Sequence, residues 1–335
     1  MKKFLSYTFV LCCFAAVSLC SSCKKDSNEA TKPYMEGEVQ FEFPEFVGEL
    51  KDVTVTASGI TKPADVTYKW VSSSMFSDTL VGTTVTVCTP DTLGDFAIIG
   101  YAFADGYYAS YTTRTFTTVD PERSGSIEGL PAASGSFKDE RDEKTYDVIT
   151  VGSLQWFAQN LAWEGAGRSY HDSPIMDGLV GRFYTWNEAT GGKSGSGIAG
   201  GPQGVCPKGW NIPTREDWED LATAVTGAEQ RFSEDFGDAG DLLSVKTTFN
   251  KNEMWQHSYE NIHSNKVGWN AMPMGFCSEP QGFSKYGRYA FFWSSYCDSD
   301  KAYYRYIHYN SKTMPSSFTS KDGWYASVRC VRVKQ

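Results

Sequence analysis

The sequence predicts two folded domains of different kinds, an all-β sandwich followed by a domain that combines strands with an amphipathic helix. Residues 34–120 consist of short runs rich in Val, Thr, Tyr and Phe, separated by turn residues and without helical periodicity. Residues 121–136 are rich in Gly, Ser and Pro, which is typical of a linker. Nine of the ten tryptophans lie beyond this segment, so the second domain should have its own core.

Residues 1–22 have the order of charge and hydropathy that is typical of a secretory signal peptide. Two lysines follow the initial methionine, and residues 4–20 form an almost unbroken run of apolar and small side chains. This run is shorter than the about 20 apolar residues that a membrane-spanning helix needs. We therefore expect the protein to be exported.

Cys23 is the expected lipid-attachment site. Cys20-Ser21-Ser22-Cys23 resembles a lipobox, in which small residues precede the modified cysteine, although Cys20 stands where Leu is more usual. Residues 23–33 are polar and are expected to act as a tether. The expected location is the outer membrane, facing the cell exterior, with the lipid anchor in the membrane. The alternative is an ordinary cleaved signal peptide with an incidental cysteine.

The charge of the chain limits its partners. The formal net charge is −9 at pH 7, and the basic residues are scattered rather than clustered. Removal of residues 1–22 would make the charge more negative, because Lys2 and Lys3 would leave with them. An acidic surface without a basic patch argues against nucleic acid and anionic lipid headgroups as partners.

Alternating segments predict the strands of the first domain. Val, Thr and aromatic residues alternate at positions 53–57, 67–71, 83–87 and 111–119. Trp70 stands where immunoglobulin-like domains keep their core tryptophan, and the turn before Phe96 resembles the approach to their tyrosine corner, as in polycystic-kidney-disease repeats. Phe96 lacks the hydroxyl group of that corner. The expectation for residues 34–120 is an immunoglobulin-like β-sandwich with Trp70 in its core.

Several motifs beyond the linker follow the order of one family. They are Gln155-Trp156-Phe157-Ala158-Gln159-Asn160-Leu161, Gly181-Arg182-Phe183-Tyr184-Thr185-Trp186, Cys206-Pro207-Lys208-Gly209-Trp210, Phe292-Trp293-Ser294-Ser295 and Ser327-Val328-Arg329-Cys330-Val331. Over residues 137–335 they resemble the Fibrobacter succinogenes major paralogous domain, and the whole arrangement resembles surface lipoproteins of the Bacteroides type. The resemblance implies an α+β C-type-lectin-like fold, related in shape to the sulfatase-modifying domain that generates formylglycine. It implies no established activity.

One helix of the second domain can be predicted from its residues. Thr214 is placed to cap a helix, and Asp217 lies at the third helical position, where a carboxylate faces the free amide groups. Apolar residues keep helical spacing from Trp218 to Val225, and Gly227 ends the pattern. We therefore interpret Trp218 as a core residue rather than a binding residue.

Five cysteines remain after the lipid site, an odd number in an oxidising compartment. Cys88 is alone in its domain and should stay unpaired. The family resemblance implies a disulfide between Cys206 and Cys330. Cys277 and Cys297 are interpreted as a second structural disulfide or as buried thiols, because the Arg-Gly-Gly-Ser-Trp neighbourhood found in sulfatase-modifying relatives is absent.

Five aromatic residues in polar or irregular stretches are the candidates for ligand binding. Exposed rings can stack on the apolar faces of sugars, although an aromatic residue is more often part of a core. The candidates are Trp163, Trp255, Tyr303, Tyr304 and Trp324.

No metal site and no cofactor are predicted. The four histidines form no zinc-type doublet with one another or with cysteine. Glu279-Pro280-Gln281 is similar to the tripeptide with which calcium-dependent lectins recognise sugars, but the accompanying Trp-Asn-Asp sequence is missing. Calcium therefore stays open as a ligand, without assigned residues.

These observations predict a non-catalytic lipoprotein of the cell surface that binds glycan or another extracellular ligand through its second domain. The first alternative is an adhesin or surface-assembly component with a broad protein-binding face. The second is an enzyme, which would need a cleft with a perturbed acid or nucleophile. No catalytic pair can be singled out among the 40 acidic residues.

Overall fold

The computed structural model describes residues 31–334. Most of the regular structure is β-sheet, with 39% of residues in strands and 11% in helices. Cys23 and the signal peptide lie outside the described residues, so both stay predictions. Between residues 31 and 334 there is no helix with the length and apolar character needed to cross a membrane.

Nine strands make up the described chain before residue 120. They are β1 (Glu36–Gln40), β2 (Phe46–Gly48), β3 (Asp52–Thr56), β4 (Ser58–Lys62), β5 (Thr67–Val71), β6 (Leu80–Val81), β7 (Thr84–Cys88), β8 (Gly94–Phe103) and β9 (Ser110–Val119). Strands β2, β9, β8, β5 and β6 form one sheet in that order, while β1 pairs with β4 and β3 pairs with β7. The four predicted strands are confirmed as β3, β5, β7 and β9, to within one residue at each end.

Trp70 lies at the centre of the core that these strands enclose. Its side chain is fully buried, its ring meets that of Phe41 edge to face at 5.0 Å, and its Nε1 donates a hydrogen bond to the carbonyl of Gly82 (2.9 Å). Val55 and Val87 come from the β3–β7 pair, on alternate positions of their strands. The prediction that Trp70 is a core residue is confirmed.

The remaining described chain contains five short helices and fourteen strands. The helices are α1 (Arg123–Ser126), α2 (Asp177–Val180), α3 (Trp186–Thr190), α4 (Arg215–Thr226) and α5 (Ala239–Leu243), with 3₁₀ turns at Tyr170–Asp172 and Pro174–Met176. The strands are β10 (Ile127–Glu128), β11 (Gly135–Lys138), β12 (Thr145–Val151), β13 (Leu154–Phe157), β14 (Phe183–Tyr184), β15 (Thr248–Phe249), β16 (Asn252–Glu253), β17 (Phe276–Ser278), β18 (Gly282–Ser284), β19 (Tyr289–Asp298), β20 (Lys301–His308), β21 (Ser316–Thr319), β22 (Trp324–Ser327) and β23 (Val331–Val333).

These strands form a large sheet and two smaller ones. The large sheet has the order β18-β17-β22-β19-β20-β21, with β14 also paired to β22. The smaller sheets are β11-β12-β13-β23 and β10-β15-β16. Because side chains alternate along a strand, β19 sends Phe292 into one core and Trp293 into another. The large sheet therefore separates two cores.

Helix α4 packs on the first of these cores. The Thr214 hydroxyl accepts a hydrogen bond from the amide of Asp217, and the Asp217 carboxylate accepts one from the amide of Thr214, which is a complete capping box. Gly227 ends the helix in the left-handed conformation (φ 76°). Trp218 is fully buried against Trp156 and Trp269. Both the helix and the core position of Trp218 are confirmed.

The disulfide between Cys206 and Cys330 is present, with a Cα–Cα distance of 5.8 Å. A second disulfide between Cys277 and Cys297 is not formed, so that pairing is wrong. The two residues lie on β17 and β19, and β22 runs between these strands. Two strand spacings are about 10 Å, which exceeds the Cα separation of about 7 Å that a disulfide can bridge. Cys277 is a buried thiol, Cys297 is half-buried, and Cys88 is exposed and unpaired as predicted.

The segment from residue 121 to 136 differs from the contact-poor linker that its composition predicts. It includes α1 and β10, and β10 pairs with β15 in the second part of the chain. Ile127 is 2% exposed and shares a core cluster with Val119 at the end of β9. Leu130 packs against the same cluster, so apolar contacts and the pairing of β10 with β15 together hold this segment against the second part of the chain.

Candidate functional site

A group of half-buried rings lies beside the second core, on one face of the large sheet. Tyr304, Tyr306 and His308 alternate along β20 and therefore lie on one face, beside Tyr289 and Phe291 of β19. The strand register places Phe291 opposite Tyr306 and Tyr289 opposite His308. The ring centroids of Tyr289 and Phe291 are 5.4 Å apart, with an interplanar angle of 14°.

Trp324 joins this surface from β22, next to β19 in the sheet. Its ring stacks on Tyr304 at 4.7 Å and 21°, and on Phe276 of β17 at 5.2 Å and 27°. Phe291 meets the edge of Trp324 at 5.5 Å. We call this set of six rings the aromatic sheet face. It consists of Phe276, Tyr289, Phe291, Tyr304, Tyr306 and Trp324.

The aromatic sheet face rests on a rigid base. Trp293 is fully buried, its ring meets that of Trp324 edge to face at 5.1 Å, and its Nε1 donates a hydrogen bond to the carbonyl of Tyr184 (2.7 Å). Phe291 is 7% exposed, whereas the other five rings are half-buried. Half-buried rings held by their neighbours present apolar area to solvent with little loss of side-chain entropy on binding.

Polar groups border the aromatic sheet face. The turn before Trp324 carries Asp322, whose carboxylate accepts a hydrogen bond from the side-chain amide of Asn187 (2.7 Å). Ser317 on β21 lies opposite Tyr304 in the strand register. Burial beside Arg288 lowers the pKa of His308, so its imidazole is neutral at neutral pH. Such rings can contact apolar surface of a ligand, and the neighbouring amide, carboxylate and hydroxyl groups can form hydrogen bonds with it.

The structure divides the five predicted ligand-binding residues. Tyr304 and Trp324 come together in the aromatic sheet face. Tyr303 points to the opposite side of β20, where its ring contacts Tyr296 at 4.8 Å. Trp163 is half-buried, and the guanidinium group of Arg141 lies 4.3 Å from the centre of its ring. Arg141 therefore covers the ring face that a ligand would need.

Trp255 is a core residue, so its place among the ligand-binding candidates is wrong. It is 6% exposed, its ring stacks on His263 at 4.4 Å, and its Nε1 donates a hydrogen bond to the carbonyl of Val245 (3.0 Å). The sequence around Trp255 is mostly polar, yet the preceding residue, Met254, is also buried. The two adjacent apolar residues, Met254 and Trp255, were the sequence signal that this segment enters a core.

Four members of the aromatic sheet face were not predicted from the sequence, namely Phe276, Tyr289, Phe291 and Tyr306. Tyr306 follows Tyr304 by two positions, so strand alternation could have placed the two rings on one face. Tyr289 is likewise two residues before Phe291. No sequence signal joins Phe276 to this set, because β17 reaches β19 only through β22.

Glu279 in the lectin-like tripeptide is engaged by protein groups. Its carboxylate accepts a hydrogen bond from the Tyr325 hydroxyl (2.8 Å) and lies 3.7 Å from the guanidinium group of Arg168. Burial, together with this bond to Glu279, raises the pKa of Tyr325 to about 12. Among the described residues there is no group of three or more His, Cys, Asp or Glu side chains that could hold a metal.

Several titratable groups with displaced pKa values are structural. Burial raises the pKa of Asp217, but this carboxylate belongs to the capping box of α4. Burial lowers the pKa of Arg305 to about 9. The Arg305 side chain is fully buried, with Phe236 3.5 Å from its guanidinium carbon, and donates to the carbonyls of Phe232, Glu234 and Met314. These groups hold the cores together.

Comparison with known families identifies the second part of the chain. The model of the Fibrobacter succinogenes major domain matches residues 149–332, which is more than half of the chain. This range includes every residue of the aromatic sheet face. Neither a curated protein nor a solved structure matches the chain.

Proposed function

The chain belongs to the Fibrobacter succinogenes major domain family, and on that premise we propose that it is a non-catalytic lipoprotein of the cell surface whose second domain binds glycan. The aromatic sheet face is the binding surface. The observation that carries this proposal is the partly exposed area of a row of half-buried rings, Phe276, Trp324 and Tyr304, bordered by Asp322 and Asn187. Sugars offer apolar C–H faces to such rings and hydroxyl groups to such a border.

The acidic charge of the chain favours a neutral or basic glycan. The net charge is −9, and Asp322 lies at the edge of the surface. A strongly anionic polysaccharide would be repelled by such a protein at low ionic strength. We therefore place neutral glycans first among the ligands.

For the architecture, we propose an immunoglobulin-like sandwich followed by a C-type-lectin-like domain, with boundaries near residues 34–120 and 137–335. Support for the first comes from the five-stranded sheet packed over buried Trp70. Support for the second comes from the Cys206–Cys330 disulfide, which ties the closing segment to the region before α4.

For the location, we propose the outer membrane, with Cys23 as the lipid-bearing residue and the folded chain facing the exterior. The lipobox-like sequence before Cys23 supports this proposal. The polar residues 23–33 would hold the binding surface away from the membrane.

The proposal is tested by glycan-array binding of the mature chain with Cys23→Ser, with calcium and with a chelator. Trp324→Ala should reduce affinity for a captured glycan by about fivefold or more, since central aromatic anchors contribute at least about 1 kcal/mol to an interface. Tyr303→Ala is the matched control, because Tyr303 is half-buried on the opposite face of β20. Equal binding by both variants and the parent would contradict the assignment of this surface.

A second candidate function is the binding of an extracellular protein through the five-stranded sheet β2-β9-β8-β5-β6. Tyr101 stacks on Phe103 at 5.8 Å and lies 5.6 Å from Tyr111. Phe103 is 38% exposed and Tyr111 is 65% exposed. Such an exposed group of rings favours an adhesin or surface-assembly role. Tyr111→Ala should then reduce protein binding and leave glycan binding unchanged, as measured by cross-linking on cells and on the array.

A further inference from the structure

A cavity of about 410 Å³ lies between the nine-stranded part of the chain and the part that follows it. Its walls come from both parts. The first contributes Glu45, Phe46 and Asp95, and the second contributes Tyr170, Met254 and Met274, among others. This volume is within the range of about 300–1,000 Å³ that small-molecule sites occupy.

The floor of the cavity is apolar and adaptable. Met176, Val180, Met254 and Met274 are each no more than 2% exposed and belong to one core cluster. Methionine side chains are unbranched and polarisable, so they adjust to ligands of different shape. The floor can therefore accept apolar groups of several shapes rather than one particular shape.

The rim of the cavity is acidic. Glu45 and Asp95 are exposed carboxylates on the first part of the chain, and the described residues that line the cavity include no Lys or Arg. Glu45 lies 2.9 Å from Nδ1 of His171, and Asp95 accepts a hydrogen bond from the Thr117 hydroxyl (2.7 Å). Those contacts leave each carboxylate with further acceptor capacity.

Aromatic rings stand between the floor and the rim. Phe46 lies 5.8 Å from Tyr170 and 6.4 Å from Phe249, and Tyr170 lies 6.3 Å from Tyr286. Ring faces attract cations, and the attraction increases when the cation is removed from water. The rings attract a cation through their π faces, and the two carboxylates attract it through their negative charge. Both effects therefore favour a positively charged group at this opening.

We propose that this cavity binds a small organic cation with an apolar body, such as an aromatic or alkyl amine. The apolar body would lie on the three methionines, and the ammonium group would lie at the rim between Glu45 and Asp95. Because the two carboxylates and the methionines come from different parts of the chain, such a ligand would hold the two parts together. The cavity shares no residue with the aromatic sheet face, so this site is independent of glycan binding.

The test compares three probes of similar size on the mature chain, namely 2-phenylethylamine, 2-phenylethanol and phenylacetate, by isothermal titration calorimetry and saturation-transfer NMR. We expect the amine to bind about tenfold more tightly than the alcohol, and phenylacetate to bind most weakly. The double variant Glu45→Gln/Asp95→Asn should remove most of the preference for the amine and leave affinity for the alcohol unchanged.

Asp91→Asn is the matched control, because Asp91 is an exposed carboxylate in the same part of the chain and outside the cavity lining. It should keep the parent's preference for the amine. Near-ultraviolet circular dichroism of each variant shows that the fold is retained. Equal affinity of the parent for amine and alcohol, absence of saturable amine binding at millimolar concentration, or an unchanged amine preference in the folded double variant would each overturn the proposal.

Discussion

Loss of the Cys206–Cys330 disulfide is expected to lower the free energy of unfolding by about 3–5 kcal/mol. The two cysteines are 124 residues apart, and the chain-entropy model gives about 5 kcal/mol for a loop of this length as an upper value. Both side chains are fully buried in the core that also contains Trp210 and Val328. The double variant Cys206→Ala/Cys330→Ala would also leave the space of two sulfur atoms empty in that core.

Urea unfolding followed by tryptophan fluorescence measures this loss. Nine of the ten tryptophans lie beyond residue 136, so the signal reports mainly on the part of the chain that contains the disulfide. Reduction of the parent should lower the stability by about this amount, and the double variant should lose more because it also leaves a space in the core. Cys88→Ala is the matched control, because Cys88 is an exposed free thiol and its removal should change neither the stability nor the response to reductant.

Two results would refute this reasoning. One is a reduced chain or double variant that unfolds at the same urea concentration as the oxidised parent. The other is non-reducing peptide mapping that recovers Cys206 and Cys330 as alkylated thiols, or joined to Cys277 or Cys297.

Three further predictions concern single side chains. Burial lowers the pKa of His263 to about 4, so the unfolded chain, with a histidine pKa of about 6.5, binds the proton first. The free energy of unfolding should therefore fall by roughly 3 kcal/mol as the pH falls from about 6.5 to about 4. In His263→Asn, the free energy of unfolding measured in urea should depend less on pH in this range. The same pH dependence in the parent and the variant would contradict this prediction. Arg305→Met should lower stability by about 2–4 kcal/mol, because three carbonyl groups lose their donor and two of these hydrogen bonds are buried. A variant as stable as the parent in urea would mean that the cost of burying the guanidinium offsets those bonds. Cys23→Ala should abolish fatty-acyl labelling and leave uncleaved precursor on a gel, whereas labelling that moves to Cys20 would show that the lipid site is misassigned.

The sequence by itself was sufficient where local interactions decide the structure. Alternation of Val and Thr in β3 and β7 fixes which side of each strand is buried. The capping box between Thr214 and Asp217 and the left-handed Gly227 fix both ends of α4, because each contact joins residues a few positions apart. Resemblance to the family, rather than local chemistry, supplied the pairing of Cys206 with Cys330.

Only the tertiary structure decided which aromatic residues form a surface. Trp255 and Trp324 both stand in polar stretches, yet one stacks on His263 in a core and the other lies half-buried on a sheet. Strand order brings Phe276, Trp324 and Tyr304 together, and the same order keeps the thiols of β17 and β19 apart. The order and register of strands depend on how whole faces pack against both cores, and that packing is a property of the complete chain rather than of any short segment.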